Sequence, residues 1–384
     1  MPLQLSRLQK QNKGLLIVKN LKVNSYGGVI FLSQNSHVLV LNKYPPFTSP
    51  YRYAIDVSNA LGEEATLMNL IFSQAGWDKE HTGTDIKVRK RILRNLIRLR
   101  GYASLNRRES NLILSQVKNE ETIVHYTNQF TGIIRGIKNP RIVSVMDSPY
   151  DPTISGPITR FYFKKLYSTL STEKFIITQT NCLARELGEY GFQGNIMTVP
   201  LAYSSPFRPL DIPKVLLRKK LGLPDDKKLI LSISTDDPRK NLEMVSRVTK
   251  ALGDNYKLVR VGTGLTGSLT FRNIDDITLN QLYNACDLLL FPSKYEGFGL
   301  PIVEAFASGL PVVASNIPTI SEVTKGSAVL VKPDSTMDII EGVRIAIDRR
   351  EELVMNGLRR AEEFTFEKFK QRLRLVYTKV RLMD

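Results

Sequence analysis

Residues 287–315, D-L-L-L-F-P-S-K-Y-E-G-F-G-L-P-I-V-E-A-F-A-S-G-L-P-V-V-A-S, read as strand, loop, helix and strand. Residues 287–291 form an apolar run of strand length, stopped by Pro292 and Ser293. Pro301 suits the first position of a helix, where its missing N–H would have had no partner. Gly309, followed by Leu310 and Pro311, ends that helix, and residues 312–314 begin the next strand. Between strand and helix lies Glu296-Gly297-Phe298-Gly299-Leu300. Its two glycines permit a sharp turn and let a ligand approach the main chain closely. The N–H groups that open the helix carry partial positive charge and favour a phosphate-like anion. Glu304, one turn into the helix, belongs near the same cleft, and Glu296 stands on its rim.

Glu296 and Glu304, with seven residues between them around G-F-G-L-P, resemble the E-x7-E signature of retaining glycosyltransferases of GT-B fold, family 4 (glycosyltransferase group 1). The flanking L-Y-N-A-C-D-L-L-L-F-P-S and A-F-A-S-G-L-P-V-V-A-S are similar to that family's text. A second segment, T-D-D-P-R-K-N-L from Thr235, follows an apolar strand at 228–234. It resembles the P-R-K-N of a mannosyltransferase-like branch, whose basic pair neutralises the donor diphosphate. The resemblance assigns that task to Arg239 and Lys240, since Arg forks onto phosphate oxygens and Lys adds a mobile point charge. Other branches place an arginine five residues before the lysine; here that position is Thr235.

Composition bounds the remainder. A chain of 384 residues with 42% hydrophobic content can bury two or three cores. No apolar run approaches the roughly 20 residues of a membrane span. The opening M-P-L-Q-L-S-R-L-Q-K lacks the apolar core of a signal peptide, which favours a cytoplasmic location. Cys182 and Cys286 stand far apart, as expected of reduced intracellular thiols. Three histidines and no D-x-D leave little with which to hold a metal, so neither metal nor cofactor is expected. The formal charge of +17 calls for an anionic partner: a nucleoside diphosphate, an anionic lipid or lipid-phosphate acceptor, or nucleic acid.

Along the amino-terminal half, strands are expected at 14–21, 37–42, 65–72, 122–126, 141–145, 175–178 and 196–199, with helix the alternative for the short apolar run 65–72. The resemblance places Gly27 and Gly28, after the first of these, across the cleft from the donor diphosphate. Residues 86–100 carry seven Lys or Arg and no acid. As a helix they set Lys87, Arg91, Arg94 and Arg98 on one face and Ile92, Leu93, Leu96 and Ile97 on the other. This is a candidate patch for an acceptor or an anionic membrane surface, or else a core-packed helix with a solvated basic face. His125 and Asp147 lie at strand ends, where doubly wound sheets bind ligands, and are candidates to assist proton removal. Relatives often carry His-Asp where this chain has Met146-Asp147, so the family role of that histidine is not carried over. Asn181 reads as an N-cap. Further on, residues 270–275 resemble the short strand and loop that meet the nucleotide base, with Asn273 the candidate contact.

The expected fold is thus α/β, GT-B: two Rossmann-like, doubly wound parallel-sheet domains facing each other across a cleft. The amino-terminal acceptor domain spans 1–203, a proline-rich hinge 204–214 and the donor domain 215–365, with residues 366–384 a helix crossing back. The resemblance implies a retaining, metal-independent transferase of mannose or glucose from a GDP-sugar or UDP-sugar to a glycan, lipid-linked or protein-linked acceptor. Glu296 would bind donor-sugar hydroxyls, and Glu304 the ribose. The amides of Phe298, Gly299 and Leu300 would meet the diphosphate and sugar. Two alternatives stay open: the same fold glycosylating nucleic acid, and a non-catalytic protein that binds anionic surfaces, membrane or nucleic acid.

Overall fold

The computed structural model describes residues 38–42, 49–69, 113–114, 117, 120–129, 138–148, 157–203 and 205–383. Two six-stranded parallel sheets account for the described strands. The first contains β1 (Val38–Asn42), β2 (Ala65–Asn69), β3 (Ile123–Tyr126), β4 (Arg141–Val145), β5 (Phe175–Thr178) and β6 (Asn195–Thr198), in the order β2-β1-β3-β4-β5-β6. Its helices are α1 (Ser49–Leu61), α2 (Pro157–Leu170) and α3 (Asn181–Glu189). Unbroken runs such as V-L-V-L-N and I-V-H-Y suit strands covered on both faces. Thr180, rather than Asn181, caps α3, its side chain accepting from the Leu183 amide.

The second sheet follows α4 (Lys214–Leu221). It is built from β7 (Lys228–Ser234), β8 (Tyr256–Gly262), β9 (Leu269–Phe271), β10 (Leu288–Phe291), β11 (Val312–Ser315) and β12 (Val329–Val331), ordered β12-β11-β10-β7-β8-β9. Its connecting helices are α5 (Leu242–Leu252), α6 (Asp276–Ala285), α7 (Leu300–Ala307), α8 (Pro318–Thr324), α9 (Thr336–Asp348) and α10 (Arg350–Ala361). The last helix, α11 (Phe366–Met383), returns to the first sheet. Phe369, Leu373, Val376, Tyr377 and Val380 recur at helical spacing and are buried in the same core as Tyr53, Val57, Ile123 and Ile142. Among the described residues no helix is long and apolar enough to cross a membrane.

Strand order fixes where a ligand can sit. In doubly wound sheets the crevice opens at the carboxyl ends of the two strands whose crossovers run in opposite directions. Here those strands are β7 and β10 in the second sheet, and β1 and β3 in the first. The helix that follows β1 is α1, whose first turn carries Arg52. Gly27, Gly28 and the basic stretch with Lys87, Arg91, Arg94 and Arg98 lie outside the described residues.

Candidate active site

After β7 the chain enters a 3-10 turn, Pro238–Lys240, capped by Asp237, whose carboxylate accepts from the Arg239 amide at 2.9 Å. Asn241 follows in the left-handed region at φ 55°, and its amide donates to the carbonyls of Pro292 (3.1 Å) and Pro333 (2.8 Å). Those bonds, with the Lys294 amide on the Arg239 carbonyl at 2.8 Å, tie the β7 loop to the loops after β10 and β12. Helix α5 starts at this junction without a side-chain cap. Helix α7 starts likewise, on Gly299 at φ 92°, a conformation that favours glycine. Two helix N-termini with backbone donors left over therefore accompany the switch point of the second sheet.

The charged side chains of the cleft are paired with one another. Lys240 Nζ donates to Glu296 Oε1 at 2.6 Å, with Glu296 only 8% exposed. Arg239 bonds Asp237 through Nε and Nη2 and reaches Asp147 Oδ1 across the cleft at 3.3 Å. The Tyr295 ring packs beneath that guanidinium, 5.8 Å from its centre. Gln129, in the loop after β3, donates to Asp147 Oδ2 (3.1 Å) and accepts from the Met146 amide (3.0 Å), fixing the aspartate's orientation. Glu304, 3% exposed, accepts from Arg52 Nη1 at 2.8 Å and from the Tyr283 hydroxyl at 2.8 Å. Burial pushes its carboxyl up to about 7, against the attraction of Arg52.

The two halves touch closely here. The Ser148 amide donates to the Tyr295 hydroxyl at 2.5 Å. Gly297 lies so near the Met146 carbonyl that a Cβ would overlap its oxygen. On the flank, the Glu322 carboxylate accepts from the amides of Asn181 and Cys182, each at 2.7 Å.

Of the residues singled out in the sequence, the structure brings together Glu296, Arg239, Lys240, Asp147, Gly299 and Leu300. The Phe298 side chain turns away, packing edge-to-face on Phe364 at 5.6 Å. Thr235 and Asn273 are exposed, just beyond β7 and β9, with Asn273 at φ 50°. His125 requires correction. It is 0% exposed, its ring bonded to Tyr377 Oη (2.6 Å) and Ser144 Oγ (2.8 Å), and burial lowers its pKa to about 3. Side chains alternate along β3, so His125 shares with Ile123 the face covered by α1 and α11. A group sealed in that core cannot take a proton from an acceptor. Sequence reading missed Arg52, Gln129, Tyr283 and Tyr295; Arg52 and Gln129 become legible once β1 and β3 are known to be the switch strands.

Residues 214–357 match the family Glycosyl transferases group 1. O-antigen chain mannosyltransferase B of Escherichia coli is 29% identical over 236 residues, 54% of this chain and 61% of that protein. The serotype-specific mannosyltransferase WbdA of Escherichia coli is 30% identical over 213 residues, which span 47% of this chain and only 25% of that protein. Among solved structures, Anabaena HepE in complex with UDP and glucose superposes with a TM-score of 0.67 at 15% identity, covering 89% of this chain and 99% of that one. Sucrose-phosphate synthase of Thermosynechococcus elongatus gives 0.66 at 17% identity, over 91% and 90%. The structural likenesses show the fold, and the family match lies on the half that carries both uncapped helices. Residues 214–357 therefore resemble the glycosyl transferases group 1 family, and the chain has the GT-B fold that these solved structures share.

Proposed function

We propose that this chain is a retaining glycosyltransferase that moves a hexose, with mannose the leading choice, from a nucleoside diphosphate sugar to a glycan, lipid-linked or protein-linked acceptor. The observation that carries this reading is the meeting of Arg239, Lys240, Glu296 and the N-termini of α5 and α7 at the switch point of the second sheet, facing Asp147. Two cations and two sets of unpaired backbone donors are suited to a pyrophosphate, and they strengthen their hold as charge develops on the leaving group. They supply that charge without calling on a metal. A donor's phosphate oxygens would replace Asp147 and Glu296 at Arg239 and Lys240. The released carboxylates would then be able to accept from sugar and acceptor hydroxyls. Glu304 would take the ribose hydroxyls, and Asn273 the base. Residues 1–203 would hold the acceptor and 215–365 the donor, with 204–214 as hinge and the helix from 366 crossing back. The +17 charge supports an acceptor or peripheral surface that is itself anionic.

The test is to incubate the full chain with GDP-mannose, UDP-glucose and ADP-glucose and follow nucleoside diphosphate release and the anomeric configuration of the sugar. Release from one donor with the configuration kept is expected. Inversion would refute the retaining mechanism, and no release from any donor would refute the activity.

A further inference from the structure

The amino-terminal half sends one cation deep into the other half. Arg52, in the first turn of α1, places Nη1 on Glu304 Oε1 at 2.8 Å and Nη2 on Asp276 Oδ1. The Phe207 ring lies 6.0 Å from the guanidinium carbon and packs edge-to-face on Tyr283 at 5.7 Å. Tyr283 in turn donates to Glu304 Oε2 at 2.8 Å. The titratable groups at this junction are Arg52 and Asp56 on α1, Asp276 and Tyr283 on α6, and Glu304 on α7. Helix α10, on the other side of α7, contributes Gly357 against Phe306. Two carboxylates thus bond one guanidinium, whose charge also acts on Asp56.

A carboxylate offers about four lone-pair positions. Arg52 and Tyr283 take one on each oxygen of Glu304, leaving one on each for a pair of neighbouring hydroxyls. Without Arg52, Glu304 would be a carboxylate at 3% exposure with no counter-charge, and burial would favour its neutral form, which loses an acceptor. The same guanidinium joins α1 to α6 and α7 at one end of the cleft, on partners that Arg239 and Lys240 do not bond.

We propose that Arg52 is a positioning residue of the donor site: it aims the Glu304 carboxylate at the vicinal hydroxyls of the nucleoside and closes that end of the cleft by holding α1 against α6 and α7. This rests on the reading of Glu304 as the ribose ligand. Arg52 touches no donor atom itself. It acts through Glu304, so it governs the nucleoside and leaves the pyrophosphate to Arg239 and Lys240.

The test compares wild type, Arg52→Lys, Arg52→Ala and Glu304→Gln, titrated calorimetrically with GDP, UDP and inorganic pyrophosphate across neutral to alkaline pH. For whichever nucleotide wild type binds, Arg52→Ala is expected to bind roughly tenfold more weakly at about pH 7 and to recover as alkali recharges Glu304. Arg52→Lys should retain most of the affinity, and pyrophosphate should bind every variant alike. Nucleotide affinity that is unchanged in Arg52→Ala, or lost at every pH together with pyrophosphate, would overturn the proposal. A Glu304→Gln variant that binds nucleotide as wild type does would overturn the ribose reading beneath it. Failure of wild type to bind either nucleotide would overturn both.

Discussion

Lys240 carries the most specific expectation at the scale of single residues. Its ammonium sits 2.6 Å from Glu296 and 5.8 Å from the centre of the Phe291 ring, held where a leaving diphosphate would arrive. Lys240→Ala should lower kcat more than it raises the donor KM, because leaving-group charge grows in the transition state. One charge-assisted hydrogen bond is worth about 1.5 to 3 kcal/mol, so a fall of roughly ten- to a hundredfold is expected in steady-state kinetics. A change in KM alone would place the lysine in ground-state binding. Gly297 makes a different demand. Glycine chemistry alone reads the loop glycines as letting a ligand approach the main chain, yet a Cβ at Gly297 would strike the Met146 carbonyl of the facing half. Gly297→Ala should therefore hold the cleft ajar while each half keeps its own core. An offset of about an ångström costs on the order of a hundredfold in rate. Loss of kcat/KM with little change in melting temperature is expected; a large drop in melting temperature instead would make the glycine a folding requirement.

At the scale of elements, α11 is bonded to the first sheet through a polar group in an apolar setting. His125 on β3 bridges Tyr377 on α11 and Ser144 on β4, and Ser144 also bonds the Tyr53 hydroxyl at 2.9 Å. A neutral imidazole can donate at one nitrogen and accept at the other, and hydroxyls can serve either role. Its folded pKa of about 3 lies below the ordinary value near 6.5, so below that value the unfolded chain binds a proton that the native chain refuses. Stability from His125 is then complete above the ordinary histidine range and is lost as pH falls toward its folded pKa. Between about pH 7 and pH 5 the loss amounts to roughly 2 kcal/mol. Glu304 and Asp56, raised by burial to about 7, act oppositely, favouring the native state as pH falls. The difference between wild type and His125→Gln isolates the histidine: urea midpoints should fall less with acid in the variant. Parallel profiles would show that the ring is not held neutral. Elements were also where the sequence was most legible. Apolar runs bounded by Pro, Ser and Gly located β7, β10 and β11 to within a residue, since strands buried on both faces leave little ambiguity. His125 was misread because its place near a strand end was taken for exposure. Its position one residue before the end of β3 turns the ring onto the α11 face.

On the scale of the whole molecule, the cleft is a contact between halves whose facing residues are far apart in the chain. Asp147 meets Arg239, Arg52 meets Glu304, and Glu322 meets the first turn of α3. None of these pairs has a sequence spacing to betray it. The E-x7-E text named the carboxy-terminal face of the site, whereas Y-R-Y-A around Arg52 looks like any helix start. Strand order, not sequence order, decides which loop faces a ligand, and that order places the loop after β1, with Arg52 beyond it, at the switch point of the described strands. The central physical claim is that Arg239, Lys240 and the open ends of α5 and α7 form one pyrophosphate site between the two halves. Calorimetric titration of GDP and UDP into wild type and the Arg239→Ala/Lys240→Ala double variant, with guanosine and uridine as controls, tests it most directly. At least one diphosphate should bind wild type and lose roughly a hundredfold, about 2.7 kcal/mol, in the double variant, with the matching nucleoside unaffected. Equal affinity of wild type and double variant for the diphosphate, or no binding of either diphosphate to wild type, would contradict it.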